Sequence, residues 1–348
     1  KKVKKIFCIP GNAGTSSIAE NLSININNFE EIKKTILKNK IDFVIIWPEK
    51  PLVEGLVDYL AKFNIKSFGP NKIASQLEGS KIFTKKMCKK YNIPTAKFGI
   101  FKNFKSAINF LDSSVFPIVI KADGLASGKG VYISENKEEA IQAVKEIFDG
   151  KFGKPEQILI EEFLDGEEMS YFIISDGKCY KKFQTAQDHK RVFEGDKGKN
   201  TGGMGAYSPS KLIDDNLDDK IIKKIIEPTL KGLKELGVSY EGFLYAGLMI
   251  KNGEPYLIEY NVRMGDPECQ TILPKLKNDL LDVLKSCIDK NLDSLNLDWS
   301  NDKSLCVVLC SKGYPDNFNN EIEITNLEKL KINNDNNEFI FHAGTKII

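Results

Sequence analysis

The sequence predicts an α/β protein that becomes α+β in its second part. Three observations carry this reading. Short apolar, β-prone runs alternate with amphipathic stretches over residues 5–68, the rhythm of a parallel sheet with helices on its faces. Beyond residue 97 the strands follow one another more closely, around a glycine-rich turn and two helices. Asn252-Gly253 then separates two apolar runs, 243–250 and 255–260, which is a strong signal for a two-residue hairpin.

Taken in order, residues 5–9 form a short strand, and Phe29, Ile32, Ile36 and Leu37 place a helical stripe on 29–40. Residues 42–47 read as a strand buried on both faces. Residues 52–63 are helical, with Leu52, Val53, Leu56, Val57 and Leu60 on one side, and the strand 65–68 ends at Gly69-Pro70. Residues 73–91 are mostly helical and bridge to strands at 97–101, 117–121, 131–134 and 157–162, with helices at 104–111 and 137–148. Strands at 170–175 and 179–183 follow, then a polar loop, 187–208. A long helix around 218–236 is kinked or divided by Pro228. After the hairpin come a helix at 279–290 and a β-rich segment from Ser304; the Asn/Asp-rich 333–337 reads as a loop.

A chain of 348 residues can form two or three domains. Lys+Arg 50 against Asp+Glu 48 leaves a formal charge of +2, which gives nucleic acid or membrane no electrostatic case as the main partner. No apolar run approaches a membrane span. Seven cysteines show no regular spacing, and Cys306 and Cys310 fall in an apolar run that suits core packing. Two histidines argue against a zinc site, so a reduced, cytoplasmic protein is expected.

Chemistry concentrates first in Leu257-Ile-Glu-Tyr-Asn-Val-Arg-Met-Gly-Asp-Pro-Glu268. Alternate strand residues share a face, so Glu259 and Asn261 point the same way, opposite Ile258 and Tyr260. A carboxylate beside an amide oxygen suits a hard cation such as Mg2+, which completes its shell with water and phosphate. The second signal is Lys121-Ala-Asp-Gly-Leu-Ala-Ser-Gly-Lys-Gly130. Only three residues separate Gly124 from Gly128 and a strand follows, so this is no Walker loop. It is a glycine flap between strands, whose amides can approach phosphate, with Lys121 as a point charge. Alone, it could be a surface turn with a solvated lysine. The acidic strand end Ile160-Glu-Glu-Phe-Leu-Asp-Gly-Glu-Glu168 could hold a base and ribose or be an ordinary strand end. Asp188, Lys190, Arg191 and Asn200 in the long polar loop suit an anionic ligand; His189 could be a base or simply structural. Pro10-Gly-Asn-Ala-Gly-Thr15 and Pro48-Glu-Lys-Pro-Leu52 follow strand ends, where open parallel sheets bind ligands, though both could be plain turns.

These residues carry a resemblance. The flap, the hinge and the Glu-Tyr-Asn strand look like the ATP-grasp superfamily. Pro10-Gly-Asn-Ala-Gly-Thr15, Gln76-Leu-Glu-Gly-Ser-Lys81, Gln187-Asp-His-Lys-Arg191, Asn200-Thr-Gly-Gly-Met-Gly205 and Arg263-Met-Gly-Asp-Pro-Glu268 resemble the phosphoribosylamine–glycine ligase (glycinamide ribonucleotide synthetase) family over essentially the whole chain. The resemblance implies an ATP-grasp fold in three parts. Residues 1–78 form an N-terminal parallel-sheet domain, incomplete at its start. Residues 79–288 form the ATP-grasp domain, with a mobile lid at about 97–166, and 289–348 a partial β-rich C-terminal domain. It further implies ATP-driven ligation of glycine to 5-phosphoribosylamine through glycyl phosphate, in de novo purine biosynthesis, by a monomer or weak homodimer.

By the same resemblance, Lys81, Lys121 and the flap residues Ser127, Gly128, Lys129 and Gly130 contact ATP phosphates. Glu161, Glu162, Phe163 and Leu164 line the adenine hinge, and Glu168 reaches ribose. Glu259 and Asn261 hold Mg2+ or Mn2+, and Arg263 stabilises the transferring phosphoryl group or acyl phosphate. Asp188, Lys190, Arg191, Asn200, Thr201, Gly202, Gly203 and Asp266 form the acceptor side. Gly11, Asn12, Gly14, Thr15 and Glu49 face phosphoribosylamine. The family opens with a strand and a loop ending in Arg-Glu-His and continues past His-Ala-Gly-Thr. This chain is therefore expected to be shortened at both ends, at a cost to phosphoribosylamine affinity more than to ATP binding. Many ATP-grasp enzymes carry a second metal-ligating acid on the hairpin's first strand, and Tyr245-Ala-Gly-Leu-Met-Ile250 has none. Three alternatives stay open: a purine carboxylase or transformylase of the same superfamily, a noncatalytic nucleotide-binding module, and a nicotinamide dehydrogenase. The last lacks a Gly-x-Gly-x-x-Gly fingerprint.

Overall fold

The computed structural model describes residues 2–125, 130–153, 155–195, 197–330 and 338–347. The first part holds two short parallel pairs, Phe7–Cys8 with Glu20–Asn21 and Val44–Ile45 with Ser67–Phe68. The helix Phe29–Lys38 starts where the Asn28 side chain accepts the Glu31 N–H, and it buries Ile32 and Ile36. The helix expected over 52–63 is two helices, Glu49–Glu54 and Leu56–Ala61. Gly55 between them adopts φ 94, a left-handed conformation that ends the first. The strand expected at 42–47 pairs only at Val44–Ile45, and Ile45 is exposed rather than buried on both faces.

Gln76–Gly79 and Lys81–Tyr91 form two helices, broken where Ser80 turns extended and caps the second by accepting the Phe83 N–H. Next comes the unit of strands and helices expected over 97–162. Its antiparallel sheet runs in the order Phe98–Phe101, Ile158–Glu162, Ile118–Ala122, Val131–Ser134. Its helices, Phe104–Leu111 and Lys137–Phe148, are each capped by an asparagine side chain, Asn103 and Asn136. Leu111, Ile118, Ile120, Val144, Ile147, Ile158 and Ile160 give this unit an apolar cluster of its own.

The central sheet is antiparallel, in the order Tyr180–Lys182, Glu167–Asp176, Glu241–Lys251, Glu254–Asn261. Strand alternation sorts its side chains into two cores. Met169, Tyr171, Ile173, Leu244, Ala246 and Leu248 face one cluster, against helical residues such as Leu217, Ile221 and Leu233. Phe172, Ile174, Phe243 and Tyr245 face another, against Val283 and Leu284 of the helix Leu280–Ile288. The long helix expected over 218–236 is in three pieces: Asp215–Ile221, a π-turn at Ile222–Ile226, and Glu227–Glu235. Pro228 lies in the first turn of the last piece. It has no N–H to continue an α-helical ladder, and the wider turn absorbs the break.

Two expectations need correcting. The polar stretch 187–208 is not structureless, since it carries the short strands Gln187–Asp188, Arg191–Phe193, Lys197–Asn200 and Gly205–Ser208. The apolar run from Leu305 is not core. Ser304–Val307 pairs with Gly205–Ser208, but its outer face has no covering layer among the described residues. Leu305 is 72% exposed, Cys306 is only half-buried and Cys310 is exposed. Ser304–Val307 is also the one strand described beyond residue 304.

Phe243 joins the front unit to the central sheet. Its ring lies 5.9 Å from Trp47, 5.3 Å from Phe68 and 5.0 Å from Phe183, all edge-on. Phe243→Ala should lower stability by about 3–5 kcal/mol in equilibrium urea denaturation. A loss below about 1 kcal/mol would show that the two units do not share this core.

Candidate active site

The hairpin sets the site. Asn252 and Gly253 take φ 52 and 72, as a two-residue turn between twisted strands requires. Gly247 pairs with Glu259 and Leu248 with Leu257, so Ile258 is the extra residue of a β-bulge. The bulge lets Leu257 and Tyr260 enter the same core and removes Ile258 from it, whereas strict alternation had paired Ile258 with Tyr260. Glu259 and Asn261 keep their common face. Opposite Glu259 stands Gly247, which offers no second acid.

Four cations from four segments surround Glu259. Burial by itself would push its carboxyl pKa up, but Lys190, Lys121, Lys81 and Arg263 outweigh burial and hold it below the usual value. Lys81 is pulled down by burial among these charges, against the pull of Glu259. Among the described residues no three His, Cys, Asp or Glu groups gather as a metal cage. Glu259 and Asn261 thus supply two oxygen donors in a cationic basin. That set fits a hard divalent ion that draws most of its shell from phosphate and water.

Arg263 is held on two sides. Its Nη2 lies 2.8 Å from Glu78 Oε1 and donates to Asn261 Oδ1 at 3.2 Å. Glu49 acts on this guanidinium and on Glu78 electrostatically.

Lys121 pairs with Glu161, and Lys85 lies 2.6 Å from the other oxygen of the same carboxylate. All three side chains are within 5% of complete burial. Burial disfavours the Glu161 anion, but the two ammonium groups hold its pKa below the ordinary value. Lys85 also donates to Thr95 Oγ1, which donates to the Leu257 carbonyl at 2.6 Å. Glu161 therefore spends its carboxylate on lysines rather than facing the hinge. Lys85 was missed by sequence reasoning, although it lies four residues after Lys81 on one helix face.

At the flap base, Asp123 accepts from Ser80 Oγ at 3.0 Å and from the Ile82 N–H at 3.1 Å. Lys81 Nζ donates to the Gly124 carbonyl at 2.9 Å. Ser127, Gly128 and Lys129 lie outside the described residues. The Gly130 carbonyl accepts the Ala122 N–H at 2.8 Å. On the hinge, Glu162 Oε1 accepts the Lys97 N–H at 2.9 Å, and Phe163 and Leu164 are half-buried.

On the acceptor side, Lys190 Nζ lies 2.9 Å from Glu168 and 3.9 Å from Asp188. Glu168, expected at ribose, is thus tied to Lys190, which was expected on the acceptor side. Burial opposes the Lys190 charge, yet Glu168, Tyr245 and Asp188 hold its pKa well above the usual value. Burial pushes the Asp188 carboxyl up to about 7, helped by Glu268 and Glu168 and resisted by Lys190. The buried Glu268 accepts from Ser170 Oγ at 3.1 Å. Arg191 sits opposite Asn200 in a small hairpin, and Thr201 returns two hydrogen bonds to the Lys190 carbonyl. Gly202 N–H donates to the Tyr314 hydroxyl at 3.2 Å. Gly203 has φ 120, and a Cβ there would lie 2.5 Å from Pro267, so this loop packs against Asp266-Pro267 only through glycine. Asp266 itself is exposed and accepts from Gln270.

The loop with Gly11, Asn12, Gly14 and Thr15 is not hydrogen-bonded to the hairpin among the described residues. Asn12 and Thr15 bond each other, and Asn12 Nδ2 donates to the His342 carbonyl at 2.6 Å. The Ala13 N–H donates to the Thr345 carbonyl at 3.2 Å.

The buried Lys85–Glu161–Lys121 group makes an ordered prediction. Glu161→Gln leaves two buried ammonium groups without a counter-charge and should cost about 3–5 kcal/mol in chemical denaturation. Lys85→Met leaves the Glu161–Lys121 pair intact and should cost less than half as much. The reverse order would mean that Glu161 is not the hub of the group.

Sequence models of the phosphoribosylglycinamide synthetase N domain and ATP-grasp (A) domain match residues 1–78 and 79–269. The phosphoribosylamine–glycine ligase of Brucella melitensis biotype 1 is 43% identical over 346 residues, 99% of this chain and 81% of that protein. That of Caldanaerobacter subterraneus subsp. tengcongensis is 42% identical over 346 residues, covering 99% and 82%. The crystal structure of phosphoribosylamine–glycine ligase from Thermotoga maritima superposes with a TM-score of 0.78 at 34% identity, over 90% of this chain and 76% of that one. These matches set aside the carboxylase, transformylase and dehydrogenase alternatives. The domains matched, the identity over nearly the full length and the shared structure place this chain in the phosphoribosylamine–glycine ligase family.

Proposed function

We propose that this chain joins glycine to 5-phosphoribosylamine at the expense of ATP, giving glycinamide ribonucleotide, ADP and phosphate through glycyl phosphate. The carrying observation is the convergence of Lys81, Lys121, Lys190 and Arg263 on Glu259. Such a basin suits a polyphosphate and the charge that moves during phosphoryl transfer. Lys81 and Lys121 hold ATP phosphates, and the hinge at Glu162, Phe163 and Leu164 holds adenine. Mg2+ or Mn2+, held by Glu259 and Asn261, would neutralise phosphate charge.

A glycine carboxylate oxygen attacks the γ-phosphorus and ADP leaves, with Arg263 facing the transferred group. The amine of phosphoribosylamine then attacks the acyl carbon. The C–N bond forms, the C–O bond breaks, phosphate leaves, and one amine proton passes to Asp188. A carboxyl whose pKa lies near 7 is matched to that proton. Lys190, Arg191 and the loop 200–203 position the acceptor, and the loop 10–15 takes its phosphoribosyl end. We assign residues 1–78, 79–288 and 289–348 as domains, with a lid at about 97–166, in a monomer or weak homodimer. All seven cysteines are free thiols, and no described helix is long and apolar enough to cross a membrane. Both fit a cytoplasmic enzyme.

The direct test is phosphate release from Mg–ATP, with glycine and freshly generated phosphoribosylamine added singly and together. Release that requires both is expected. ATP binding without release would favour a noncatalytic nucleotide-binding module. Glu259→Gln should lower turnover at least about 100-fold with little change in melting temperature; near-normal turnover at saturating metal and ATP would remove Glu259 from the metal site.

Asp188 gives a pH prediction. As a base it must be unprotonated, so kcat should fall as pH drops through about 7, and Asp188→Asn should remove that limb with a loss of about 100-fold or more. The stability effect has the opposite sense. The folded state binds this proton more tightly than the unfolded chain, whose carboxyl titrates near pH 4. The group therefore favours folding below about pH 4, and that contribution is lost as pH rises to about 7. Asp188→Asn should melt above the parent protein at pH 8. A lower melting temperature there would show that Asp188 is held as a stabilising anion.

A further inference from the structure

The segment Gln76-Leu-Glu-Gly-Ser-Lys81 delivers Lys81 to the site, but its acid, Glu78, has no part in the chemistry above. Glu78 sits on the short helix Gln76–Gly79 with its side chain 8% exposed. One carboxylate oxygen lies 2.8 Å from Arg263 Nη2, and the other accepts the Val262 N–H at 2.8 Å. A single carboxylate therefore holds both the backbone at the end of the hairpin strand and the guanidinium that follows it. The same Nη2 donates to Asn261 Oδ1 at 3.2 Å, so the line runs from Glu78 through Arg263 to a proposed metal donor.

The helix that carries Glu78 is anchored independently of the site. The Thr84 hydroxyl donates to the Leu77 carbonyl at 2.7 Å, and the buried Ser75 hydroxyl donates to the Asn71 carbonyl at 2.8 Å. A Cβ at Gly79 would lie 2.8 Å from Val53, so the helix is seated closely on the front unit. Arg263 shares its basin with Lys81, Lys121 and Lys190 around Glu259. Glu78 and Glu49 favour the guanidinium charge, and the hydrogen bonds to Glu78 and Asn261 fix where it sits. With one Nη2 hydrogen directed at Asn261, the amide oxygen is fixed in rotamer, as outer partners fix metal ligands.

We propose that Glu78 is a positioning residue, which acts through Arg263 to fix the guanidinium and the Asn261 oxygen in the phosphoryl-transfer site. This rests on the roles assigned above to Arg263 and Asn261. The test compares Glu78→Gln, Arg263→Ala and the double variant, with melting temperature to confirm folding. Glu78→Gln should lower kcat about 10- to 100-fold while the KM for ATP moves less than about threefold. Adding it to Arg263→Ala should produce no further loss, because Glu78 then has nothing to position. Mn2+ binding with a nonhydrolysable ATP analogue, read by electron paramagnetic resonance, should weaken about tenfold in Glu78→Gln. Glu78→Asp keeps the charge with a shorter reach and should fall between the parent and Gln.

Parental kcat and Mn2+ affinity in both Glu78 variants would overturn the proposal. So would losses that multiply in the double variant, which would assign Glu78 to scaffolding independent of Arg263. If the parent chain shows no glycine- and phosphoribosylamine-dependent turnover, the functional reading fails and the Mn2+ measurement alone decides for or against Glu78.

Discussion

One carboxylate amid four cations governs this structure. Glu259 cannot balance Lys81, Lys121, Lys190 and Arg263 unaided, and mobile side chains of like charge would move apart. Each cation is instead tied to a further partner. Lys121 is tied to Glu161, Lys190 to Glu168, Arg263 to Glu78, and Lys81 to the Gly124 carbonyl. The tethers come from separate parts of the chain, so the basin exists only when the front unit, lid and central sheet are all in place.

Most of the elements around that basin were legible in the sequence. The Asn252-Gly253 turn and the apolar runs beside it located the hairpin, and the period of two put Glu259 and Asn261 on one face. The lid strands and helices were visible because strong apolar runs are bounded by glycine, proline and asparagine caps. What escaped depends on local geometry or distant partners. The bulge at Ile258 adds a residue without altering the apolar pattern. Gly55 splits a helix whose stripe reads continuously across it. Leu305 and Val307 look like core residues, but exposure depends on what else is packed there, which apolar periodicity does not encode.

The site divides along the same line. Glu259, Asn261 and Lys121 stand in motifs whose chemistry is local, and Lys81 was reached only through the family resemblance. Lys85 and Glu78 act across the fold, on Glu161 and Arg263, and a buried lysine or glutamate reads in sequence like any surface charge. Spacing from Lys81 could have flagged Lys85, since both lie on one helix. It could not have flagged Glu78, because the chain turns extended at Ser80 between them.

The separate apolar cluster inside the lid has a thermodynamic consequence. The buried side chains of this unit pack among themselves, and the Lys85–Glu161 ion pair ties it to the helix Lys81–Tyr91. A turn of this unit about that ion pair would leave its own apolar cluster buried. Heat-capacity changes follow apolar exposure, so this cluster would add little to the heat-capacity change of such a turn. The cluster's contribution to the temperature dependence of such a turn would be small, unlike the curved stability that burial of the same side chains gives to folding.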